Sequence, residues 1–293
     1  MICCVCVGHG AGTIEELRGL ENSSKNVCKA LRKQGITTKT IIVDSNNTSI
    51  PDCDFVFNLC DNDEGHPDSF IQFTKYLEEK HIPYTGNTLK CFQLHHDKLN
   101  WSNFSQIKKY LPLRGDKFSF KNCFKPIIIK HRFSHGSLYP IKTFKNFLHL
   151  EIYDLLKTKN YYWENFIEGK ELTVSYLPNG DYYISARKQS NTVVLDFENK
   201  WHGTSELVIP FLTKSTKERI ESIVNDVKAA LNINSYMRLD LRINSTEQVY
   251  LIDINPNCSL DPGGSFCKTL NNFNISYEKA IYIISNSFPG TCL

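Results

Sequence analysis

The sequence lacks a strong net charge, a long apolar segment and a recognisable export signal. Its 34 Lys and Arg residues nearly balance its 31 Asp and Glu residues, giving a formal net charge of +3. So weak a field does not favour nucleic acid or an anionic membrane as a partner. No apolar run approaches the roughly 20 residues that span a bilayer, and the apolar segment 2–7 lacks the basic start of a signal peptide. We therefore expect a cytoplasmic protein that binds neither nucleic acid nor membrane.

The eleven cysteines form no pattern typical of a disulfide framework. Their number is odd, and the single Cys-x2-Cys spacing, from Cys3 to Cys6, has no second such pair. In a strand, residues three apart point to opposite faces, so a zinc site here is the minor alternative. We expect most cysteines to be small buried apolar residues in a reducing compartment.

Strand-like and helix-like segments alternate over the first hundred residues. This β-α-β-α order predicts a parallel sheet with helices on its faces. The rest of the chain combines short strands with separate helices. Strands are predicted at 2–7, 38–43, 55–59, 126–130, 161–167, 168–177, 182–188 and 193–197, and helices from 14 or 23 to 34 and at about 68–80, 144–157, 215–231 and 276–286.

Two strands near the end of the chain, at 236–243 and 249–257, are predicted to form a hairpin around a polar turn. Residues two apart on a strand share a face. Arg238 and Asp240 therefore point the same way on the first strand. Asp253 and Asn255 do so on the second.

Pairing these strands would bring three oxygen donors and one guanidinium onto a single surface. Oxygen ligands suit Mg²⁺, which commonly also takes phosphate oxygens from a nucleotide. A fixed arginine beside them can stabilise developing negative charge. The alternative is a polar sheet face in water, although Asp-x-Asn is a poor strand sequence.

With further motifs in view, the chain resembles the ATP-grasp superfamily and, more narrowly, the D-alanine–D-alanine ligase-like carboxylate–amine ligases. The resemblance covers almost the whole length, with the motifs in the family's order. They are Phe57-Asn-Leu59 with Glu64-Gly65, Ile82-Pro-Tyr-Thr-Gly86, His96-Asp-Lys-Leu99, Pro126-Ile-Ile-Ile-Lys130, the hinge Glu164-Asn-Phe-Ile-Glu-Gly-Lys-Glu171, and the hairpin pair Arg238-Leu-Asp240 and Asp253-Ile-Asn-Pro-Asn257.

The resemblance implies a three-lobed ATP-grasp architecture of the α/β class, with α+β character in the ATP-grasp part. The lobes would be an N-terminal substrate lobe with a parallel sheet at 1–95, a central ATP-grasp lobe at 96–165, and a C-terminal ATP-grasp lobe with the metal hairpin at 166–293. ATP and Mg²⁺, or Mn²⁺ in its place, would be the cofactors, and small amino acids or peptides the substrates. Dimers are common in such families, which leaves a homodimer open.

For the nucleotide, the resemblance implies lysines that contact the phosphates, a hinge whose backbone reads the adenine edge, and a carboxylate that accepts from the ribose hydroxyls. The lysines are Lys98 and Lys130, the hinge backbone is that around Phe166 and Ile167, and the carboxylate is Glu171. Glu164 of the hinge motif and Lys200 of the mobile loop are further nucleotide-binding candidates.

For the reaction, the resemblance implies Asp240, Asp253 and Asn255 as ligands of one or two Mg²⁺ ions. A substrate carboxylate would attack the γ-phosphorus of ATP to give an acyl phosphate and ADP. An amine would then attack the acyl carbon, and Arg238 would stabilise the resulting oxyanion.

The resemblance also implies residues that contact the substrates. Glu16 would bind the ammonium group of the first amino acid, although a first-turn role in the helix is the alternative. Ser137 belongs to the catalytic loop, and Ser265 lies where the family binds a substrate carboxylate.

Departures from the family pattern leave the substrate open. Leu138 replaces a serine in the phosphate loop, and Trp201 replaces the tyrosine of a mobile loop. Asp253 stands in place of the usual glutamate, and Ser259 in place of a glycine. The alternative to a ligase is a non-catalytic ATP-grasp relative that binds nucleotide or a partner protein.

Overall fold

A computed structural model describes most of the chain. Of residues 14–17 it describes the backbone but not the side chains. The described residues are 1–8, 14–43, 49–60, 69–117, 125–133, 142–146, 148–188 and 206–288.

Three parallel strands form the first sheet, in the order β2-β1-β3. Strand β1 is buried on both faces: Cys3 and Val5 pack in one core, and Cys4 and Cys6 in another. This two-sided burial is the reason for its continuous apolar sequence. The elements here, all predicted, are β1 (Ile2–Val7), helix α1 (Ile14–Lys33), β2 (Thr37–Ile42), β3 (Phe55–Asn58) and helix α2 (Ser69–Glu79).

The expected burial of most cysteines is confirmed for the described part of the chain. Cys3 and Cys6 point to opposite faces of β1. All nine cysteines in the described part of the chain are free thiols, and eight of them are buried. Burial raises the pKa of the Cys4 thiol to about 11, with nearby Cys53 adding to the effect. Such thiols are protonated and unreactive at neutral pH.

Three short helical elements that the sequence did not predict follow the first sheet. Thr88 caps the first of them by accepting a hydrogen bond from the Cys91 N–H at 3.3 Å. Asp97 caps the second through the Leu99 N–H. The elements are α3 (Leu89–His95), a 3₁₀ helix (Lys98–Asn103) and α4 (Ser105–Lys108).

The second sheet is antiparallel, with the strand order β4-β7-β5-β6. One helix covers it, packing Ile152 and Leu156 against Ile127, Ile129 and Trp163. Its elements are β4 (Arg114–Gly115), β5 (Ile127–His131), β6 (Lys142–Phe144), helix α5 (Leu150–Lys157) and β7 (Tyr161–Asn165).

The prediction of a helix over 144–157 is wrong in its first half. Phe144 ends strand β6, and the helix begins only at Leu150. Phe144 pairs with Ile127 of β5 and packs on the same apolar cluster. Strand pairing supplied by a distant segment overrides the local helical pattern.

The third sheet is antiparallel, with the order β10-β9-β8-β11-β12. Helix α6 packs on this sheet, with Ile220, Val224 and Val227 in one core with Leu239 and Leu241. The elements are β8 (Lys170–Tyr176), β9 (Tyr182–Arg187), β10 (Leu207–Val208), α6 (Lys214–Leu231), β11 (Met237–Ile243), β12 (Val249–Asn255), α7 (Ser265–Asn272) and α8 (Tyr277–Ser285).

Among the strands of the third sheet and the helices α6, α7 and α8, all were predicted except β10 and α7. The predicted strand 193–197 lies outside the described residues.

The apolar cores join segments that are distant in the sequence. One core packs Val5 of β1 and Phe57 of β3 with Phe266 of α7 and Ile281 of α8.

In the part of the chain that is described, no helix is both long and apolar enough to cross a membrane. The lobe boundaries after residues 95 and 165 stay a prediction.

Gly169, just before β8, lies where no side chain fits. Its φ is +143°, and a Cβ built on it would lie 2.0 Å from the Ile243 carbonyl oxygen of β11. Gly35, after α1, also has a positive φ of +78°, but a Cβ there would meet nothing within 4 Å. Only Gly169 therefore combines backbone strain with a backbone clash.

We expect Gly169→Ala to lower the free energy of unfolding by about 3 kcal/mol, because β8 and β11 must separate to admit the methyl group. Gly35→Ala, the control, should cost only about 1 kcal/mol, the strain of a left-handed alanine. Urea denaturation measures both. Equal losses for the two variants would contradict the clash.

Candidate active site

The hairpin of β11 and β12 places four polar side chains opposite one another. Arg238 pairs with Asn255, and Asp240 pairs with Asp253, in the antiparallel register. Strand β11 is also paired with β8 on its other side, where Thr173 lies opposite Asp240. The predicted juxtaposition of these four side chains is thus a consequence of strand pairing.

Arg238 and Asp240 form a bidentate pair along β11. Arg238 Nε lies 3.1 Å from Asp240 Oδ1, and Arg238 Nη2 lies 2.9 Å from Asp240 Oδ2. Burial acts to lower the pKa of Arg238, but the nearby acidic groups, with Asp240 the strongest, together outweigh it and raise the pKa above its usual range. The guanidinium is therefore held charged and in a fixed orientation.

Asp253 is neutralised by cations from another part of the chain. Lys98 Nζ lies 2.9 Å from Asp253 Oδ1, and Asn255 Nδ2 donates to Asp253 Oδ2 at 3.2 Å. Burial acts to raise the pKa of Asp253, but Lys98 and Lys130 more than offset this and hold it well below its usual range. Asp253 is therefore an ionised carboxylate despite its burial.

A bulge in β12 provides a contact for Lys130 next to Asp253. The register shifts after Asp240, so that Ile252 has no partner on β11. Its carbonyl instead accepts a hydrogen bond from Lys130 Nζ at 3.0 Å. Lys130 also forms an ion pair with the buried Glu164. The bulge thus re-aims a backbone group toward the site, as bulges commonly do.

His95 fixes the backbone of β12 between Asp253 and Asn255. Its Nε2 lies 2.7 Å from the Ile254 carbonyl oxygen. Burial, together with the charge of Lys98, lowers the pKa of His95 to about 4. The imidazole is therefore neutral at pH 7, and Nε2 must carry the proton because a carbonyl only accepts.

The donor set of the hairpin fits Mg²⁺. Asp240, Asp253 and Asn255 supply two carboxylates and an amide, all hard oxygen donors. Mg²⁺ is usually held by one or two carboxylates and completes its shell with water and phosphate oxygens. No group of three or more His, Cys, Asp or Glu side chains in the described ranges could hold a metal by itself. The set therefore suits a cation shared with a nucleotide.

A second polar cluster lies along the hinge between β7 and β8. The Phe166 N–H donates to the Pro126 carbonyl at 2.9 Å. The Ile167 carbonyl accepts from Arg242 Nη1 at 2.9 Å, and the same guanidinium lies 4.9 Å from the Phe166 ring centroid. Arg242 therefore fixes both the backbone and the aromatic face of the hinge.

Glu171 lies between two arginines. Arg242 Nη2 lies 3.3 Å from Glu171 Oε2, and Arg187 Nε lies 3.4 Å from Glu171 Oε1. Arg242 is directly opposite Glu171 in the pairing of β11 with β8. This carboxylate is therefore compensated before any ligand binds.

A sequence model of the family described as D-ala D-ala ligase C-terminus matches residues 126–285, more than half of the chain. The chain belongs to this ligase family. The D-alanine–D-alanine ligase of Petrotoga mobilis is 25% identical over 282 residues, covering 89% of this chain and 90% of that protein. The interpretation of the sequence as a carboxylate–amine ligase of this family is confirmed.

Solved structures share the ligase fold along nearly the whole chain. The D-alanine–D-alanine ligase from Bacillus anthracis, in complex with ATP, superposes with a TM-score of 0.78 at 18% identity, covering 98% of this chain and 97% of that one. The VanG D-Ala:D-Ser ligase from Enterococcus faecalis gives 0.73 at 13% identity, covering 98% and 99%. The predicted ATP-grasp architecture is confirmed.

Several predicted site residues of this ligase-family chain lie outside the described parts. These are Ser137 and Lys200, the departures Leu138 and Trp201, and the side chain of Glu16, whose backbone lies in the first turn of α1. Ser265 is described: it begins α7. The Ser175 hydroxyl, opposite Arg238, donates to the neighbouring Phe266 carbonyl at 3.1 Å.

The ligase site also depends on Asn87, which the sequence interpretation missed. Asn87 is fully buried, and its Nδ2 donates to the Tyr236 and Pro256 carbonyls at 2.9 and 2.7 Å. Its Oδ1 accepts from the N–H groups of Asn234 and Ser235. One amide therefore joins both ends of the β11–β12 hairpin. A Gly-Asn pair by itself indicates only a turn.

We expect Asn87→Ala to lower the free energy of unfolding by about 3 kcal/mol, because four backbone groups would lose their partner in a buried place. Asn103→Ala, which removes an exposed side chain bonded only to Asn100, is the matched control. Its effect should stay within about 0.5 kcal/mol. Thermal and urea denaturation measure both, and similar stability of the two variants would exclude this role.

Proposed function

We propose that the chain joins the carboxylate of one small amino acid or peptide to the amine of another, using ATP and Mg²⁺ and releasing ADP and phosphate. The observation that carries the proposal is the convergence of Lys98 and Lys130 on the paired hairpin residues Asp240, Asp253 and Asn255. Cations and hard oxygen donors at one place suit a metal-bound polyphosphate.

In this proposal Asp240, Asp253 and Asn255 would hold Mg²⁺. The metal would supply charge neutralisation to the phosphate oxygens. Lys98, which lies 2.9 Å from Asp253, would move from that carboxylate to contact a phosphate. Lys130 contacts a second phosphate from the end of β5.

The reaction proceeds by positioning and needs no protein nucleophile. The substrate carboxylate attacks the γ-phosphorus, and the bond to the β–γ bridging oxygen breaks to give an acyl phosphate and ADP. The amine then attacks the acyl carbon, and phosphate leaves. Arg238, held rigid by Asp240, stabilises the oxyanion of the tetrahedral intermediate.

The hinge binds the adenosine part of ATP. Because the Phe166 N–H and the Ile167 carbonyl already have protein partners, we assign the adenine edge to the Ile167 N–H and the Phe166 carbonyl. Glu171 accepts from the ribose hydroxyls while Arg187 and Arg242 keep it oriented. Glu164 supports Lys130 from beneath.

The remaining assignments concern the substrates. Glu16 binds the ammonium group of the first amino acid, and Ser265 binds a substrate carboxylate at the start of α7. Ser137 takes part in catalysis, and Lys200 contacts the nucleotide. The relatives named above for D-Ala–D-Ala and D-Ala:D-Ser ligation make D-alanine and D-serine the first candidates.

The arrangement of the chain completes the proposal. We assign the substrate lobe to 1–95 and the two ATP-grasp lobes to 96–165 and 166–293, with a homodimer as the assembly. The free, buried thiols suit the reducing cytoplasm.

ADP release with Mg²⁺ and ATP, measured across a panel of D- and L-amino acids and dipeptides, tests the function. We expect turnover that requires both metal and an amino-acid substrate, with the ligated product found by mass spectrometry. ATP binding without turnover on any member of the panel would instead favour a nucleotide-binding module.

We expect Asp240→Asn to reduce turnover at least about 100-fold, because the variant loses a metal-binding charge and the anion that orients Arg238. Its melting temperature should change little, since the amide keeps the shape of the side chain. Asp226→Asn is the control: Asp226 contacts Tyr110 and Lys109 and is not one of the residues assigned to the site. An unchanged rate in Asp240→Asn would rule out the metal assignment.

A further inference from the structure

Arg114 is a buried arginine that none of the assignments above uses. It lies in β4, directly opposite Glu164 of β7. Both side chains are only 2% exposed, and Arg114 Nη2 lies 2.8 Å from Glu164 Oε2. A buried charge is costly unless it is compensated, so its presence beneath the nucleotide site requires a reason.

The Arg114 guanidinium contacts a group belonging to or bonded to each of the two lysines assigned to the phosphates. Arg114 Nη1 donates to the Lys98 carbonyl at 3.2 Å. Glu164 receives Arg114 on Oε2 and Lys130 on Oε1. Arg114 therefore reaches Lys98 through its backbone and Lys130 through the shared carboxylate.

Aromatic rings fix the plane of this guanidinium. Its Cζ lies 5.8 Å from the Trp101 ring centroid and 5.4 Å from that of Tyr162, within the range of cation–π contacts. Trp101 in turn donates to the His95 carbonyl at 3.0 Å, and His95 bonds to Ile254 in the metal hairpin. The arginine is thus anchored to the same framework as the hairpin acids.

The charges of this cluster do not balance. Glu164 is already neutralised by Lys130, so Arg114 gives the buried group a net charge of +1. Among the described residues, Arg114 Nε and the Tyr162 hydroxyl are also buried without a hydrogen-bond partner, and Arg114 Nη2 and Glu164 Oε2 form an ion pair without hydrogen-bond geometry. Such groups cost stability, which is typical of a functional arrangement and not of one built for stability alone.

We propose that Arg114 is a positioning residue that keeps Glu164 neutralised while Lys130 engages the ATP phosphates, and that holds the Lys98 backbone in place. When Lys130 turns toward a phosphate, its ion pair with Glu164 weakens. Without Arg114 the buried carboxylate would then be left uncompensated, and Lys130 would stay on it. The inference rests on the proposed function and adds a residue to its nucleotide site.

Equilibrium binding of Mg-ATP and of adenosine, measured by calorimetry on the full chain, separates positioning from mere structure. We expect Arg114→Met to weaken ATP binding about ten-fold or more, the loss of one charge-assisted contact, and to change adenosine binding less than about two-fold. Arg114→Lys, which keeps the charge beside Glu164, should recover part of the ATP affinity. Arg219→Met, which removes an exposed arginine stacked 4.3 Å from the Tyr110 ring centroid, is the control and should leave both affinities unchanged.

A second variant tests the charge argument directly. In Arg114→Met/Glu164→Gln the carboxylate charge is gone, so Lys130 is free to turn, and ATP affinity should rise above that of Arg114→Met alone. Equal loss of ATP and adenosine binding in Arg114→Met, or no recovery in the double variant, would overturn the proposal. If Arg114→Met does not fold, Arg114→Lys takes its place. A larger loss of affinity for ATP than for adenosine in that variant would support the proposal, and equal losses would overturn it.

These outcomes are distinct from a failure of the proposed function. If the unsubstituted chain binds no ATP, both proposals fall. If it binds ATP and Arg114→Met binds ATP equally well, only the role of Arg114 is refuted. ATP binding that depends on Arg114, without turnover on any amine, would refute the ligase reaction and support the positioning role.

Discussion

The pairing register of β11 with β12 is the constraint on which the rest of the site depends. It sets Arg238 opposite Asn255 and Asp240 opposite Asp253. A shift by one residue would turn every one of these side chains to the other face of the sheet. The apolar residues between them, such as Leu239 in the core under α6, make that shift unfavourable. Burial of the opposite, apolar face of the hairpin thus keeps the polar side chains on their own face.

Charge compensation without ligand is the second organising feature. Asp240 is held by Arg238, Asp253 by Lys98, and Glu164 by both Lys130 and Arg114. Each anion has a cation from a different strand or segment, apart from the pair within β11. In the proposed function, binding of a metal and a polyphosphate would exchange these partners for new ones of opposite charge. No buried charge would then be left uncompensated.

The sequence predicted most strands and helices because their apolar periodicity is local. It failed where distant segments decide the outcome. Phe144 lies in a strand because it pairs with Ile127 of β5. Helix α7 was not predicted because the burial of Phe266 depends on a core shared with β1 and β3. Arg114 and Asn87 escaped notice for the same reason: a single polar residue reveals nothing about its burial until the chain around it is folded.

Local patterns were enough to identify the ligase family, the alternation of side chains along the two hairpin strands, and the residue types suited to metal and phosphate. Strand periodicity and the order of motifs along the chain carry that information, and neither needs long-range contacts. Folding was needed to show that Lys130 donates to the bulged Ile252 carbonyl, that His95 bonds to the Ile254 carbonyl, and that Arg114 contacts both the Lys98 carbonyl and the carboxylate of Glu164. Those contacts join residues far apart in the chain, so they exist only once the three sheets have packed together.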